Sequence, residues 1–299
     1  MAQHALLIVN RQARNGGAAI DAALAVLRQA GWQLAEHGFQ PGQTAAEVIR
    51  ARAGEGFTAV ILGGGDGTLN AAAPALIETG LPFGILPLGT ANDLARSLEI
   101  PPDPVEAARI IAGGLTRPID LGEVNGLPYF NVASIGFSAQ LAAGLGQDEK
   151  KRWGKLGYAL AAFRLLRRVR PFTAWLAHDG KVERVRTIQV SVGNGRHYGG
   201  GMTVQSDARP DDGKLDLYSL ELDHWWRLLA LLPALRRGTQ GQWKDVRAFP
   251  TTACEVRTRR RMPVNTDGEI NTHTPARFRL LPKAVRVFVP ADRPEGSFS

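Results

Sequence analysis

Two hydrophobic periods alternate along the first part of the chain. Short aliphatic runs typical of buried strands occur at 4–9, 58–62 and 83–88. Segments with apolar residues at helical spacing occur between and after them, at 18–30, 44–53 and 103–113. Strand and helix therefore follow each other in the order of an α/β domain with a parallel sheet.

The pattern changes after about residue 120. Asn125-Gly126 and Asp179-Gly180 are each flanked by runs rich in strand-forming residues, and these residue pairs are typical of type I′ hairpin turns. We therefore expect antiparallel β structure in the rest of the chain. Two helices, at 150–170 and 224–237, are expected to interrupt it, and a last apolar run lies at 285–289.

Composition and charge exclude several classes of protein. The chain has 299 residues, a hydrophobic content of 44% and a net charge of +8, so it is neither disordered nor fibrous. Its apolar runs are shorter than the roughly 20 residues that a spanning helix needs. A single cysteine, Cys254, and the lack of a leader-like N-terminus predict a reducing, cytoplasmic location.

The strongest local motif is Gly63-Gly64-Gly65-Asp66-Gly67-Thr68, between a predicted strand and a predicted helix. Glycines allow the backbone N–H groups to approach a phosphate closely, and the helix N-terminus adds partial positive charge. The motif also fits a purely structural turn. Its place at the carboxyl end of a strand favours a nucleotide phosphate site, because α/β sheets bind ligands at that edge.

A second turn, from Gly89 to Leu94, follows the next strand and includes Thr90, Asn92 and Asp93. Asp120 is expected to end another strand. Three aspartates at the ends of strands in one sheet, Asp66, Asp93 and Asp120, suit a divalent cation bound partly through water and substrate phosphates.

Two further motifs lie downstream. In Asp267-Gly268-Glu269 a carboxylate could accept a proton from an attacking hydroxyl, if folding brings this turn to the same crevice. Residues 210–216 (PDDGKLD) are rich in oxygen ligands, so they suit either a structural Mg²⁺ or Ca²⁺ loop or a surface turn.

Together, GGGDGTLN, GILPLGTAND, GNGRHYGGGM with PDDGKLDL, and the DGE element resemble the diacylglycerol kinase catalytic family, in particular the bacterial YegS-like soluble lipid kinases. The resemblance extends over roughly residues 5–290. It implies a doubly wound, Rossmann-like α/β nucleotide-binding domain and an antiparallel β-sandwich lipid-binding domain, with the active site between them. The expected boundaries are 1–122, with a returning segment near 284–299, and 123–283.

The resemblance also implies roles for individual residues. A lipid hydroxyl would receive the γ-phosphate of ATP in the presence of Mg²⁺. Nucleotide and Mg²⁺ binding would fall to Gly64, Gly65, Asp66, Gly67, Thr68, Asn70, Thr90, Asn92, Asp93 and Asp120. Asp267 or Glu269 would be the general base, with Asp267 preferred, and Arg209, Asp212 and Lys214 would form the structural metal loop.

The first loop departs from the family pattern. Many relatives have an Asn-Pro-x-Ser-Gly turn after the first strand, whereas this chain has Asn10 to Gly16 without proline. Asn10 and Arg14 still offer an amide and a guanidinium to a phosphate. The threonine that some relatives place near the adenine falls at Phe39, with Thr44 nearby.

Two predicted helices suggest contact with a membrane. Residues 150–170 contain eight Lys and Arg residues and no acid, with apolar residues at helical spacing, and residues 224–237 combine tryptophans with arginines. Both patterns are typical of interfacial helices on anionic lipid, and they fit equally well helices packed on their own domain. If the segment that contains Arg257, Arg259 and Arg261 is a strand, alternation would put these three arginines on one face. Such a face could bind lipid headgroups.

Two other functions compete with the lipid kinase. An NAD kinase has a similar glycine loop but needs no amphipathic helix. A catalytically silent module for anionic membrane or nucleic acid would not need the acids at 66, 93, 120 and 267, and we expect no nucleic-acid partner. The identity of the lipid and the oligomeric state, a homodimer included, stay open.

Overall fold

The structure is a computed structural model. It describes residues 3–9, 17–38, 42–144, 170–195, 197–198, 202–203, 209–222, 225–237, 239 and 243–291. The helices are α1 (Gly17–Gln29), α2 (Ala45–Arg52), α3 (Asp66–Thr79), α4 (Asp93–Ser97), α5 (Pro104–Ala112), α6 (Phe137–Gly144) and α7 (Trp225–Arg237), with a 3-10 turn at Ala53–Glu55. The strands are β1 (Gln3–Val9), β2 (Trp32–Gly38), β3 (Ala59–Gly64), β4 (Phe83–Pro87), β5 (Thr116–Val124), β6 (Leu127–Tyr129), β7 (Val132–Gly136), β8 (Phe172–His178), β9 (Lys181–Thr187), β10 (Gln189–Gly193), β11 (His197–Tyr198), β12 (Met202–Thr203), β13 (Leu215–Leu220), β14 (Val246–Thr251), β15 (Ala253–Thr258), β16 (Pro263–Thr266), β17 (Glu269–His273) and β18 (Ala276–Phe288).

Local sequence signals explain the helix starts. Thr44 and Glu47 form a reciprocal capping box at α2, in which each side chain binds the other's backbone N–H. Asp103 accepts a hydrogen bond from the N–H of Val105 at the start of α5, and Pro104 takes the first helical position, where no N–H is needed. Both helices therefore begin where the sequence predicts.

The first domain contains a parallel sheet in the order β2-β1-β3-β4. Strands β1, β3 and β4 are almost wholly buried, as expected where helices cover both faces of a sheet. The long strand β18 joins this sheet beside β4 and pairs antiparallel with β5. Because Val285, Val287 and Phe288 pack in the same hydrophobic core as β1 and β3, the end of the chain returns to the first domain.

The second domain is antiparallel. Strands β15, β8 and β9 extend the large sheet from β18, and a separate sheet has the order β14-β13-β10-β7-β16-β17. Side chains of the two sheets meet in a second hydrophobic core that includes Tyr129, Leu176 and Val256. The fold is therefore a mostly parallel α/β domain followed by an antiparallel β-sandwich, as the sequence predicted.

Both predicted hairpin turns are present. Asn125 and Gly126 have φ angles of 52° and 86°, and Asp179 and Gly180 have φ angles of 48° and 72°. Two consecutive positive φ angles are the signature of the type I′ turn. Within the described ranges, no helix has both the length and the hydrophobicity to cross a bilayer.

Two expectations from the sequence are corrected. Asp120 does not end a strand, because β5 continues to pair with β18 up to Val124 and the residue lies within β5. The three arginines also do not share one strand face, because β15 ends at Thr258 and the chain bends at 259–260. Helix α7 is confirmed, whereas the basic segment 150–169 lies outside the described residues.

Candidate functional site

The glycine-rich motif connects β3 to α3 at the carboxyl end of the parallel sheet. Gly65 is the N-cap of α3, and Asp66 begins the helix. A methyl group on Gly65 would lie 3.0 Å from the Cα of Gly89, and one on Gly89 would lie 2.6 Å from the Cα of Gly65. The two glycine turns therefore touch through their backbones, which no larger residue would allow.

The second turn is held closed by its own asparagine. Asn92 has a φ angle of 50°, accepts a hydrogen bond from the N–H of Gly89 at 3.0 Å and donates one to the carbonyl of Gly89 at 3.0 Å. Asp66 Oδ1 accepts the N–H of Leu94 at 3.2 Å, and thus joins this turn to α3. Thr90 is exposed at the turn, whereas Asp93 is buried as the first residue of α4.

The downstream DGE element is a hairpin turn between β16 and β17. Asp267 and Gly268 have φ angles of 48° and 101°. The carboxylate of Asp267 accepts the N–H groups of Phe130 at 2.8 Å, Asn131 at 3.1 Å and Val132 at 2.9 Å. Asp267 thereby fixes the segment that leads into β7.

Asn70 connects this turn to the phosphate loop. It lies in α3, and with its amide nitrogen toward the acceptors it donates to Asp267 Oδ2 at 3.3 Å and to the carbonyl of Pro128 at 3.3 Å. In this orientation of the amide, the contact joins α3 to the hairpin turn between β16 and β17. It brings the first and third motifs of the sequence together.

The environment of Asp267 changes its acidity. Burial raises the pKa of Asp267 to about 7, opposed by the hydrogen bonds from the backbone, and the nearby charge of Asp66 raises it further.

Glu269 differs from Asp267 in its surroundings. It is exposed, and a methyl group placed on Gly67 would lie 3.5 Å from Glu269 Oε1. The carboxylate of Glu269 is thus next to the first turn of α3, where a bound phosphate is expected. Of the two acids of the DGE turn, Glu269 is the more exposed.

Asp120 binds two segments that are distant in sequence. Its Oδ2 accepts the N–H of Gly213 at 2.9 Å, and its Oδ1 accepts the N–H of Lys283 at 2.7 Å. Its own N–H donates to the carbonyl of Pro210 at 2.7 Å. Asp120 therefore fixes the predicted metal loop against β5 and β18.

The predicted metal loop closes around Asp212. Its carboxylate accepts the N–H of Lys214 at 3.0 Å and that of Arg209 at 3.4 Å, while the side chain of Arg209 pairs with Asp211. Burial raises the pKa of Asp212, and the charge of Asp120 raises it further. Arg209, Asp212 and Lys214 thus lie in one turn, and a metal ion bound there stays a prediction.

The expected cluster of three acids is not formed among the described residues. No group of three or more His, Cys, Asp or Glu side chains in these ranges could hold a metal ion by itself. Asp120 accepts a hydrogen bond from Gly213 of the metal loop, whereas Asp66 accepts one from Leu94 of α4. Asn10 and Arg14 of the first loop lie outside the described residues.

Asn194 is a site residue that we did not predict. It is 2% exposed, and its amide nitrogen donates to the carbonyls of Asp120 at 2.8 Å and Phe130 at 3.0 Å. Asn194 therefore connects strand β5, at Asp120, with the segment 130–132 that Asp267 binds. The signal was the placement of Asn194 between two glycines, because a polar residue in such a turn favours a backbone contact.

Comparisons with known proteins agree with this geometry. Residues 4–124 match the family model of the diacylglycerol kinase catalytic domain, and residues 131–289 match that of the YegS C-terminal NAD kinase beta sandwich-like domain. A protein of Pseudomonas aeruginosa named probable lipid kinase YegS-like is 33% identical, over 97% of this chain and 95% of its own. A Mycobacterium tuberculosis diacylglycerol kinase is 32% identical, over 92% of this chain and 91% of its own.

A solved structure shares the fold over the same length. The crystal structure of a diacylglycerol kinase from Bacillus anthracis superimposes with a TM-score of 0.80 at 26% identity, and the match covers 97% of this chain and 98% of that one. The four motifs, the order of the domains and these relatives lead to one assignment. The chain belongs to the diacylglycerol kinase catalytic-domain family, with a C-terminal β-sandwich domain of the YegS type.

Proposed function

We propose that the protein is a lipid kinase that transfers the γ-phosphate of ATP to a lipid hydroxyl in the cleft between its two domains. One observation carries the proposal: the exposed carboxylate of Glu269 lies next to Gly67, in the first turn of the phosphate-loop helix. A proton acceptor beside a phosphate site is the arrangement that phosphoryl transfer to a hydroxyl requires. The lipid kinases and diacylglycerol kinases among the relatives support the same activity.

The two domains would divide the work. Residues 1–122, with the returning segment near 284–299, would bind the nucleotide, and residues 123–283 would bind the lipid. The return of β18 to the first core supports this division. The boundary passes through β5 and β18, which pair with each other on both sides of an irregularity between Leu281 and Val285.

The phosphate loop has the features that ATP needs. The close contact of Gly65 with Gly89 leaves the backbone of this turn without side chains, so that N–H groups are accessible to a phosphate. Thr90 is exposed at the adjoining turn and would contact the nucleotide. Asp66 and Asp93 offer the oxygen ligands that Mg²⁺ prefers, and Mg²⁺ bound with ATP would neutralise phosphate charge.

For the general base we propose Glu269 in place of Asp267, the acid preferred from the resemblance. Asp267 uses both carboxylate oxygens to hold the N–H groups of residues 130–132, whereas Glu269 is exposed. We therefore assign the general base to Glu269, which would accept the proton of the lipid hydroxyl as its oxygen attacks phosphorus. Asp267 would position the turn that carries Glu269.

The loop of Arg209, Asp212 and Lys214 would hold a structural Mg²⁺ or Ca²⁺. Asp212 supplies a partly buried carboxylate, and the turn has backbone carbonyls on both sides. Bound there, the ion would stabilise the ionised form of Asp212 and rigidify the contact with Asp120. This role is distinct from that of the ion bound with ATP.

The acceptor lipid lies in a membrane, so the protein would contact its surface peripherally. Phosphatidylglycerol, diacylglycerol and sphingoid alcohols are the candidate acceptors. The test is transfer of labelled phosphate from Mg-ATP to each lipid in mixed micelles, with NAD in a parallel reaction. Labelled lipid is the expected result.

Two controls sharpen this test. The Glu269→Gln variant should bind ATP with an affinity within about threefold of the wild type and lose at least about 100-fold in kcat. Label on NAD alone, or full activity of the Glu269→Gln variant on lipid, would refute the proposed function or the proposed base, respectively.

A further inference from the structure

The large sheet has an outer face on the side away from the sandwich core. Side chains alternate along β8, β9 and β15, so that Ala174, Leu176, Val185 and Val256 are buried between the sheets. The intervening residues point outward. We call this surface the outer face and define it by Trp175, Ala177, Val182, Arg184, Arg186, Glu255, Arg257 and Arg277.

The strand register places an apolar group at the centre of the outer face. Trp175 lies opposite Arg184 on one side and Arg257 on the other, while Ala177 lies opposite Val182. A recess of about 430 Å³ is lined by Trp175, Ala177, Val182, Arg257 and Thr258. Val182 is 67% exposed and lines the recess, which therefore has an exposed apolar wall.

Positive charge surrounds this apolar centre. Glu255 is shared between Arg257 at 2.8 Å and Arg277 at 3.8 Å, so one carboxylate faces two guanidiniums. Arg184 and Arg186 are exposed, and neither has a carboxylate partner among the described residues. Lys181 and Asp179 are exposed at the turn between β8 and β9.

More cations lie at the other end of the same strands. The consecutive arginines 259, 260 and 261 follow directly after Thr258, which pairs with Ala174 near the start of β8. Arg170 is exposed just before β8. The outer face is therefore a flat basic surface with an apolar centre.

An anionic bilayer matches this combination of features. Each Lys or Arg near an anionic lipid surface contributes roughly 1 kcal/mol of attraction, and tryptophan prefers the headgroup level. Long arginine side chains can keep their guanidiniums at the phosphates while apolar neighbours enter the interface. A second copy of the chain does not match, because two such faces would set arginines against arginines.

We propose that the outer face docks on an anionic phospholipid bilayer, with Trp175 and Val182 at the headgroup level and one phospholipid headgroup in the recess beside Arg257. This inference rests on the proposed function in that the acceptor lipid is membrane-bound. It assigns membrane contact to a sheet surface, separate from the two helical segments indicated by the sequence.

The test is cosedimentation of the full chain with vesicles of phosphatidylglycerol and phosphatidylcholine, compared with vesicles of phosphatidylcholine alone. The Arg184→Gln/Arg186→Gln variant should bind the anionic vesicles at least about tenfold more weakly, because two contributions of roughly 1 kcal/mol each are lost. Val182→Ser should weaken binding at an exposed position where folding is not at risk. Binding of the wild type should fall as salt is raised.

The matched control is Arg50→Gln/Arg109→Gln, which removes two exposed arginines from helices of the first domain. Its binding should equal that of the wild type. An equal loss in both double variants would reduce the effect to net charge and overturn the proposal. Unchanged binding of Arg184→Gln/Arg186→Gln, or equal affinity of the wild type for a short RNA, would also overturn it.

The test of the docking surface can be distinguished from the test of the kinase activity. Phosphorylation of a short-chain lipid dispersed in detergent should be unaffected by Arg184→Gln/Arg186→Gln, because these residues lie outside the cleft. Vesicle binding that depends on the outer face, in a protein that phosphorylates no lipid, would uphold the docking surface and refute the kinase. Lipid phosphorylation by a protein whose vesicle binding does not depend on the outer face would uphold the kinase and refute the docking surface.

Discussion

Replacing Asp267 by asparagine should remove a pH dependence of folding stability. The pKa of Asp267 is raised to about 7 in the folded protein, against 3.8 for an ordinary aspartate. Between these two values the folded state holds a proton that the unfolded state has lost. The stabilising contribution is therefore fully present below about pH 4 and is lost as the pH rises through 7.

The magnitude follows from the linkage relation. With about 1.4 kcal/mol per pKa unit, the unfolding free energy should fall by about 2.5 kcal/mol between pH 5 and pH 8 because of this one group. Asparagine does not titrate, so the Asp267→Asn variant should lack that decline. Subtracting the variant's pH profile from that of the wild type isolates the contribution of Asp267, since the other titrating groups are common to both.

The assay is urea unfolding at pH 5, 6, 7 and 8, with linear extrapolation to water. Glu269→Gln is the matched control for substitution in this turn, because it removes an exposed carboxylate from the same hairpin. If Asp267→Asn loses stability between pH 5 and pH 8 as steeply as the wild type, the burial argument is wrong.

Other substitutions test the remaining contacts. Gly89→Ala should destabilise the protein by about 1–3 kcal/mol and weaken ATP binding at least tenfold, because the added methyl group would overlap the backbone of Gly65. Gly38→Ala is the control, because a methyl group there enters open space and should change neither property. Urea denaturation measures the stability, and nucleotide titration measures the binding. Asp120→Ala should lower the unfolding free energy by about 2–4 kcal/mol by leaving two N–H groups without an acceptor, and a variant as stable as the wild type in urea would contradict this. Chelation of divalent ions should lower the Tm of the wild type but not that of Asp212→Asn, and an equal shift in both would place the stabilising ion elsewhere.

Much of the fold could be predicted because its signals are local. The hairpins at Asn125-Gly126 and Asp179-Gly180 depend on residues that tolerate positive φ, and the helix starts depend on capping residues within one turn. The strand β2 was missed. It lies at the edge of the sheet and mixes buried and exposed positions without a clean alternation, so its sequence lacks the pattern of a buried strand.

The candidate site was only partly predictable, because its contacts are long-range. The hydrogen bonds of Asp120 reach residues 93 and 163 positions away, and those of Asp267 reach about 136 positions back along the chain. A motif gives the residue type at each position but not which backbone N–H groups it meets. The preference between Asp267 and Glu269 therefore depended on the structure, since both acids occur in the same turn.

The carboxylates of the site separate into two functions by what their oxygens contact. Asp120 and Asp267 each accept backbone N–H groups with both carboxylate oxygens. Each carboxylate therefore holds together segments that are distant in the sequence. Glu269 is exposed beside the phosphate loop, where its oxygens are accessible to a substrate. An acid whose two oxygens both hold backbone N–H groups keeps its position, and those oxygens are engaged with the backbone rather than directed at a substrate hydroxyl. Positioning and proton transfer are thus assigned to different residues of one hairpin turn, and a change in either residue should affect one property and spare the other.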